Sequence, residues 1–255
     1  MQHRAVSVRR PSVAGMTTFV LVPGMWLGAW AWQDVASRLA EAGHDPRPVT
    51  LSGVAERAAE ATPQTDLDTH VADVVALVEG ADLRDVVLVG HSYGGMVVSV
   101  AAGLLAARLR RVVYVDSGPL PEGTSQFDTN LPEQQDRILA EIGDGFLAPV
   151  PPFRPDPDDP SLAGLDADML ALLRERATPH PFASARQPVH YRPDFATVPS
   201  ALISCMFPAA QVHEMIAAGH PYFALLAGAD VLELPTGHWP MLSRPTDLAM
   251  LLSTL

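Results

Sequence analysis

The sequence predicts an α/β fold: a doubly wound, mostly parallel sheet with helices on both faces and a helical cap inserted after the fourth predicted strand. Three observations lead there. Short apolar runs rich in β-branched residues alternate with longer segments of helical period, the pattern of a parallel sheet covered on both sides. One strand-to-helix junction carries Gly90-His91-Ser92-Tyr93-Gly94, and one long interval, from Gly118 to Pro199, interrupts the alternation.

The elements follow in chain order. Phe19-Val-Leu-Val22 reads as a strand that stops at the Pro23-Gly24 turn, and residues 31–42 as the helix after it. Residues 47–50 form the next strand and 67–79 a helix with valines at helical spacing. The continuous apolar run 86–90 is a buried strand, joined through Ser92 to a helix over 95–109. Strands over 111–116, 201–205 and 231–234 and helices over 209–218 and 246–255 complete the pattern, with right-handed crossovers.

The interval of about residues 119–199 has no strand signal. It holds the proline-dense stretch Pro149 to Pro160 and helical patterns over 133–142 and 166–177, and an insertion of that length in a sheet is expected to be a cap. Residues 1–15 are expected to form a flexible arm before a single domain over 16–255, with Met16 as its functional start. Arg9-Arg10 before an apolar stretch resembles a twin-arginine signal, but Pro23-Gly24 and Gly28 break that stretch and the fold needs it.

Composition narrows the function. A net charge of −12 without a basic cluster repels nucleic acid and anionic membranes. All 17 lysine-or-arginine positions are arginine, which removes chemistry that needs an amine. The single cysteine, Cys205, falls in an apolar run, and a reducing, cytoplasmic setting is expected. No metal-ligand spacing and no nucleotide motif is present, so no metal and no cofactor are expected, only a small-molecule substrate.

The chemistry centres on Ser92. A serine between a strand and a helix, with glycines two before and two after, sits on a sharp turn that projects its hydroxyl above the sheet at the positive end of the helix. The hydroxyl needs a base, and among nine histidines only His238 lies between the last strand and the last helix, where this architecture places one. His91 should point away from the hydroxyl; His180, His190, His213 and His220 read as surface or packing residues, and His3, His44 and His70 as solvated. Two backbone donors for a developing oxyanion, worth about 3 kcal/mol each, are expected from Tyr93 and from Met25 after the Pro23-Gly24 turn. The acid orienting His238 is read as Asp116, at the end of the strand after the nucleophile helix, with Glu214, Asp230 or a bare Ser-His dyad as alternatives.

These motifs resemble the small α/β-hydrolases that include bacterial esterases, plant methylesterases and hydroxynitrile lyases. The resemblance rests on residues 19–32, Gly90-His-Ser-Tyr-Gly-Gly-Met96, Val113-Tyr-Val-Asp116, Thr178-Pro-His-Pro181 and Pro235-Thr-Gly-His-Trp-Pro240. The chain departs from it in carrying Pro23 where the family usually has histidine, and in having no carboxylate directly after the strand over 201–205. In dehalogenase-like relatives the acid follows the strand ending at Asp116, but those enzymes use an aspartate nucleophile, so Ser92 argues against carbon–halogen cleavage.

The expected activity is hydrolysis of a carboxylic ester or lactone of a small, largely apolar substrate through an acyl-enzyme on Ser92. The expected pocket lining is Trp26, Leu120, Phe153, Phe182 and Met241 beside Met25 and Tyr93, while Trp30 and Trp32 read as core. The rivals are a lyase, opposed by the missing lysine that the plant lyases would imply, an acyl-transfer or cyclisation enzyme, and a non-catalytic small-molecule binder.

Overall fold

The computed structural model describes residues 15–255; the expected arm, save Gly15, and Arg9-Arg10 lie outside the described residues. In chain order the elements are β1 (Thr18–Val22), α1 (Gln33–Glu41), β2 (Asp45–Pro48), α2 (Leu67–Gly80), β3 (Val86–His91), α3 (Gly94–Leu105) and β4 (Leu109–Val115). Then come α4 (Pro132–Ile142), β5 (Leu147–Ala148), α5 (Ala167–Arg176), β6 (His180–Pro181) and α6 (Phe182–Arg186). The chain closes with β7 (Ser200–Ser204), α7 (Ala209–Ala217), β8 (Asp230–Glu233), α8 (Pro240–Ser243) and α9 (Pro245–Ser253).

The main sheet has six strands in the order β2-β1-β3-β4-β7-β8, all parallel. Period-2 alternation with both faces covered explains the all-apolar runs. Phe19, Leu21, Val87, Val89, Val113 and Val115 pack on one side, with α1 and α9. Val20, Val22, Leu88, Val112 and Tyr114 pack on the other, with α2 and α3. Asp66 caps α2, its carboxylate accepting from Thr69 N–H at 2.9 Å. No helix of the described residues is long and apolar enough to cross a membrane.

The structure corrects four local expectations. The second strand is Asp45–Pro48 rather than 47–50; Pro46 and Pro48 are tolerated because β2 is an edge strand with one paired side. Helix α3 ends at Leu105, not 109: a 3-10 turn over Ala106–Arg108 intervenes, and Leu109 is drawn into β4 beside Val86. Between Gly118 and Pro199 there is a short antiparallel pair, β5 with β6, too brief to leave an alternating pattern. His70, read as solvated, is 0% exposed.

Register is what positions the site. His91 lies beside Val115, and Val115 beside Ile203, so the residues that follow β3, β4 and β7 emerge together at one edge of the sheet. The ladder continues one step beyond, with Ser92 N–H donating to Val115 C=O at 3.3 Å and Asp116 N–H to Ile203 C=O at 2.9 Å.

Candidate active site

Ser92 sits at that edge with φ 50, a left-handed conformation rare for a side chain with a Cβ. The packing around the turn enforces it. A Cβ on Gly90 would lie 2.5 Å from Gly94 C=O, and one on Gly94 2.6 Å from Pro23 C=O, so the chains close to a distance only glycine permits. Ser117 Oγ donates to Ser92 C=O at 2.6 Å and ties the turn to the end of β4.

His238 and Asp116 meet beside it. His238 Nδ1 lies 2.6 Å from Asp116 Oδ2. The other carboxylate oxygen accepts from Cys205 N–H at 3.2 Å and Met206 N–H at 3.3 Å. Burial works against the charge on Asp116, but the hydrogen bond and attraction to His238, with the Cys205 amide, hold its carboxyl below the usual value. The carboxylate therefore keeps the proton of His238 on Nδ1 and leaves Nε2 as the acceptor. The other carboxylates weighed lie elsewhere: Asp230 pairs with Arg111 on the surface, and Glu214 is exposed on α7.

His91 is turned away from the hydroxyl and completely buried. Its Nε2–H donates to His238 C=O at 2.7 Å, and its ring lies 4.8 Å from that of His238, so it buttresses the His238 loop. Burial, with the neighbouring His238 second, pushes this imidazole down to about 3, and it is neutral across the working range. Gly24 makes room for it: a Cβ there would be 2.9 Å from His91 Nδ1 and 3.0 Å from Ser92 Cβ.

The backbone N–H groups of Met25 and Tyr93 have no acceptor among the described residues. Trp26, next to Met25, has φ 67. The Tyr93 phenol hydrogen-bonds His70 Nδ1 at 2.7 Å. No group of three or more histidine, cysteine, aspartate or glutamate side chains is gathered for a metal ion among the described residues.

Two cavities share Ser92, Gln126 and His238. One, of about 470 Å³, is mostly apolar, with Met96, Leu202, Phe207, Met215 and Phe223 in its wall. The other, of about 650 Å³, runs past Met25, Trp26, Phe127, Phe182 and the prolines 149, 151 and 152 to Arg137 and Glu141 at its rim. Of the expected lining, Trp26 and Phe182 face the second cavity. Tyr93, Leu120, Phe153 and Met241 face neither; they are buried in the two cores, Phe153 with its ring edge-on to Trp239 at 5.4 Å. Side-chain direction in these loops left no sequence signal. The first cavity's wall was missed for the same reason, although Met96, one helical turn after Ser92, was open to a spacing argument.

A model described as the alpha/beta hydrolase family matches residues 19–251. A carbendazim-hydrolysing esterase of Nocardioides is 32% identical over 254 residues, 94% of this chain and 100% of that protein. A putative chloroplastic methylesterase of Arabidopsis thaliana is 30% identical over 111 residues, 43% of this chain and 32% of that protein. Among solved structures, an extracellular alpha/beta-hydrolase of a Paenibacillus species superposes with a TM-score of 0.76 at 22% identity, over 93% of this chain and 98% of that one.

Proposed function

The chain belongs to the alpha/beta hydrolase family, and from that membership we propose that it hydrolyses carboxylic esters or lactones of small, largely apolar substrates through an acyl-enzyme on Ser92. The observation that carries the reading is one constellation: a serine at φ 50, and a histidine in the same two cavities whose Nδ1 is 2.6 Å from a nearly buried carboxylate.

His238 Nε2 takes the proton of Ser92 as Oγ attacks the substrate carbonyl carbon. The carbonyl π pair moves onto oxygen, and the N–H groups of Met25 and Tyr93 receive that charge; donors of this kind are each worth about 3 kcal/mol. The tetrahedral species collapses, the ester C–O bond breaks, and the His238 imidazolium returns its proton to the leaving alkoxide. Water, deprotonated by the same nitrogen, then attacks the acyl carbon; the second tetrahedral species collapses, its bond to Ser92 Oγ breaks, and the imidazolium returns its proton to Oγ as the acid leaves. Asp116 stays ionised throughout and stabilises the imidazolium. The apolar wall of the smaller cavity suits an alkyl or aryl group, and Arg137 and Glu141 in the wall of the larger one suit a substituent with a polar end.

The test is intact-mass analysis after exposure to a fluorophosphonate, on the natural protein, Ser92→Ala and His238→Ala. One adduct on the natural protein, absent from the first variant and at least about 100-fold slower in the second, is expected. A panel of 4-nitrophenyl esters from acetate to octanoate, simple lactones and carbendazim then ranks substrates. No adduct and no turnover would leave a protein that binds without catalysing.

A further inference from the structure

We propose that His180 is a positioning residue for the oxyanion turn, holding from one buried imidazole both backbone segments whose N–H groups, Met25 and Tyr93, receive the developing charge. This rests on the acyl-enzyme reading above.

The turn needs an external hold. Trp26 has φ 67, a conformation that a residue with a bulky side chain keeps only where its surroundings impose it. Both of its backbone polar groups are taken by the segment leading into β6. Its N–H donates to His180 Nδ1 at 3.4 Å, and its C=O accepts from Thr178 N–H at 3.0 Å. The Thr178 hydroxyl in turn accepts from Ala55 N–H at 2.7 Å, anchoring the segment to the loop after β2.

The same ring packs against the side chain of the residue that carries the second donor. The His180 and Tyr93 rings meet edge to face with centroids 4.9 Å apart. The Tyr93 phenol is fixed in turn by His70, whose Nε2–H donates to Ser52 C=O at 2.8 Å, so that its Nδ1 accepts the phenol proton. His180 thus lies in one packed cluster with Tyr93 and His70.

The hydrogen bonds assign its tautomer. An amide N–H only donates, so Nδ1 of His180 carries no proton and Nε2 does. Nε2–H donates to Ser184 Oγ at 3.0 Å, and that hydroxyl donates to Pro181 C=O at 2.7 Å. Both ring nitrogens are used, the side chain is 0% exposed, and it lines neither cavity that holds Ser92. It has no access to substrate, and its influence on the reaction passes through the position of the two donors.

Asparagine and leucine at position 180 have nearly the same shape, but only asparagine offers an acceptor where Nδ1 stands. Two readouts separate the roles: kcat and KM on 4-nitrophenyl butyrate, and hydrogen exchange at the Trp26 amide. For His180→Leu we expect kcat lower by about 10- to 100-fold with KM within about 2-fold, a fraction of what loss of a whole donor causes. Exchange at Trp26 should be at least about 10-fold faster. His180→Asn should keep about a third or more of the native kcat and native-like exchange.

A folded His180→Leu protein with native kcat would overturn the proposal, as would an asparagine variant as slow as the leucine one, which would reduce the role to packing. If the leucine variant does not fold, Ser184→Ala decides: it removes the acceptor that fixes the tautomer, and an unchanged kcat overturns the proposal where a loss of about 3- to 10-fold at constant KM supports it. If the native protein turns over no ester, the acyl-enzyme reading fails by itself, and exchange at Trp26 still tells whether His180 holds the turn.

Discussion

His238 Nδ1 and Asp116 Oδ2 lie 2.6 Å apart although their residues are separated by 122 positions in the chain. The contact exists because β4 ends beside β7 and the loop after β8 folds back over both. Cys205 and Met206 N–H occupy the second carboxylate oxygen, so Asp116 has one orientation in which to meet the histidine.

Replacing Asp116 by asparagine should therefore preserve the fold and remove the tautomer control. The amide oxygen can keep the bonds from Cys205 and Met206, while its NH2 group faces Nδ1 and favours the wrong tautomer. A loss of about 10³- to 10⁴-fold in kcat is expected, with an unfolding midpoint near the native one. Steady-state kinetics and urea unfolding on one preparation check both halves.

Strain at Ser92 predicts a stability difference. With φ 50, Ser92 carries a penalty that glycine does not. Ser92→Gly should be more stable than Ser92→Ala by about 0.5–1 kcal/mol in urea unfolding, even though glycine gains more entropy in the unfolded chain. Equal midpoints would mean that the turn is unstrained. Both variants should lose at least about 10³-fold in kcat.

Gly24 should resist enlargement. A Cβ there would meet His91 Nδ1 at 2.9 Å and Ser92 Cβ at 3.0 Å, and neither can retreat, because His91 is bonded to His238 C=O and Ser92 is pinned by Ser117. Gly24→Ala is expected to lower kcat/KM by about 10-fold or more and to cost about 1–3 kcal/mol of stability. Unaltered kinetics would show that the turn relaxes freely.

Acid should destabilise the protein through its buried imidazoles. His91 is pushed down to about 3 by burial and then by His238, and burial also lowers His70 and His180. The unfolded chain takes up these protons below about pH 6.5 and the native state does not, so stability falls as pH drops from there toward the folded value. For His91 alone the loss at pH 5 is about 2 kcal/mol. Urea midpoints at pH 7.5 and 5 measure the total, and His91→Gln, which keeps a donor for His238 C=O, should remove that share of the dependence. A midpoint flat between these pH values would contradict the assignment of buried neutral rings.

The sheet, the close turn at Ser92 and the histidine in the last strand-to-helix loop were legible in the sequence alone. Each of these is local: consecutive apolar residues make a strand buried on both faces, glycines on either side of a serine allow a close turn, and the last strand-to-helix loop offers a single histidine. Tertiary structure decided what depends on direction across the chain. It brought Asp116 rather than Asp230 or Glu214 to His238, because the first ends a central strand and the others lie on the surface. It turned Phe153 and Met241 into the core and Met96, Leu202 and Phe223 into the cavity, because a loop's path sets which way a side chain points. It also gathered His70, Tyr93 and His180 into one buried group, where the sequence offered only scattered polar residues, because three distant segments supply the acceptors and donors that make such burial possible.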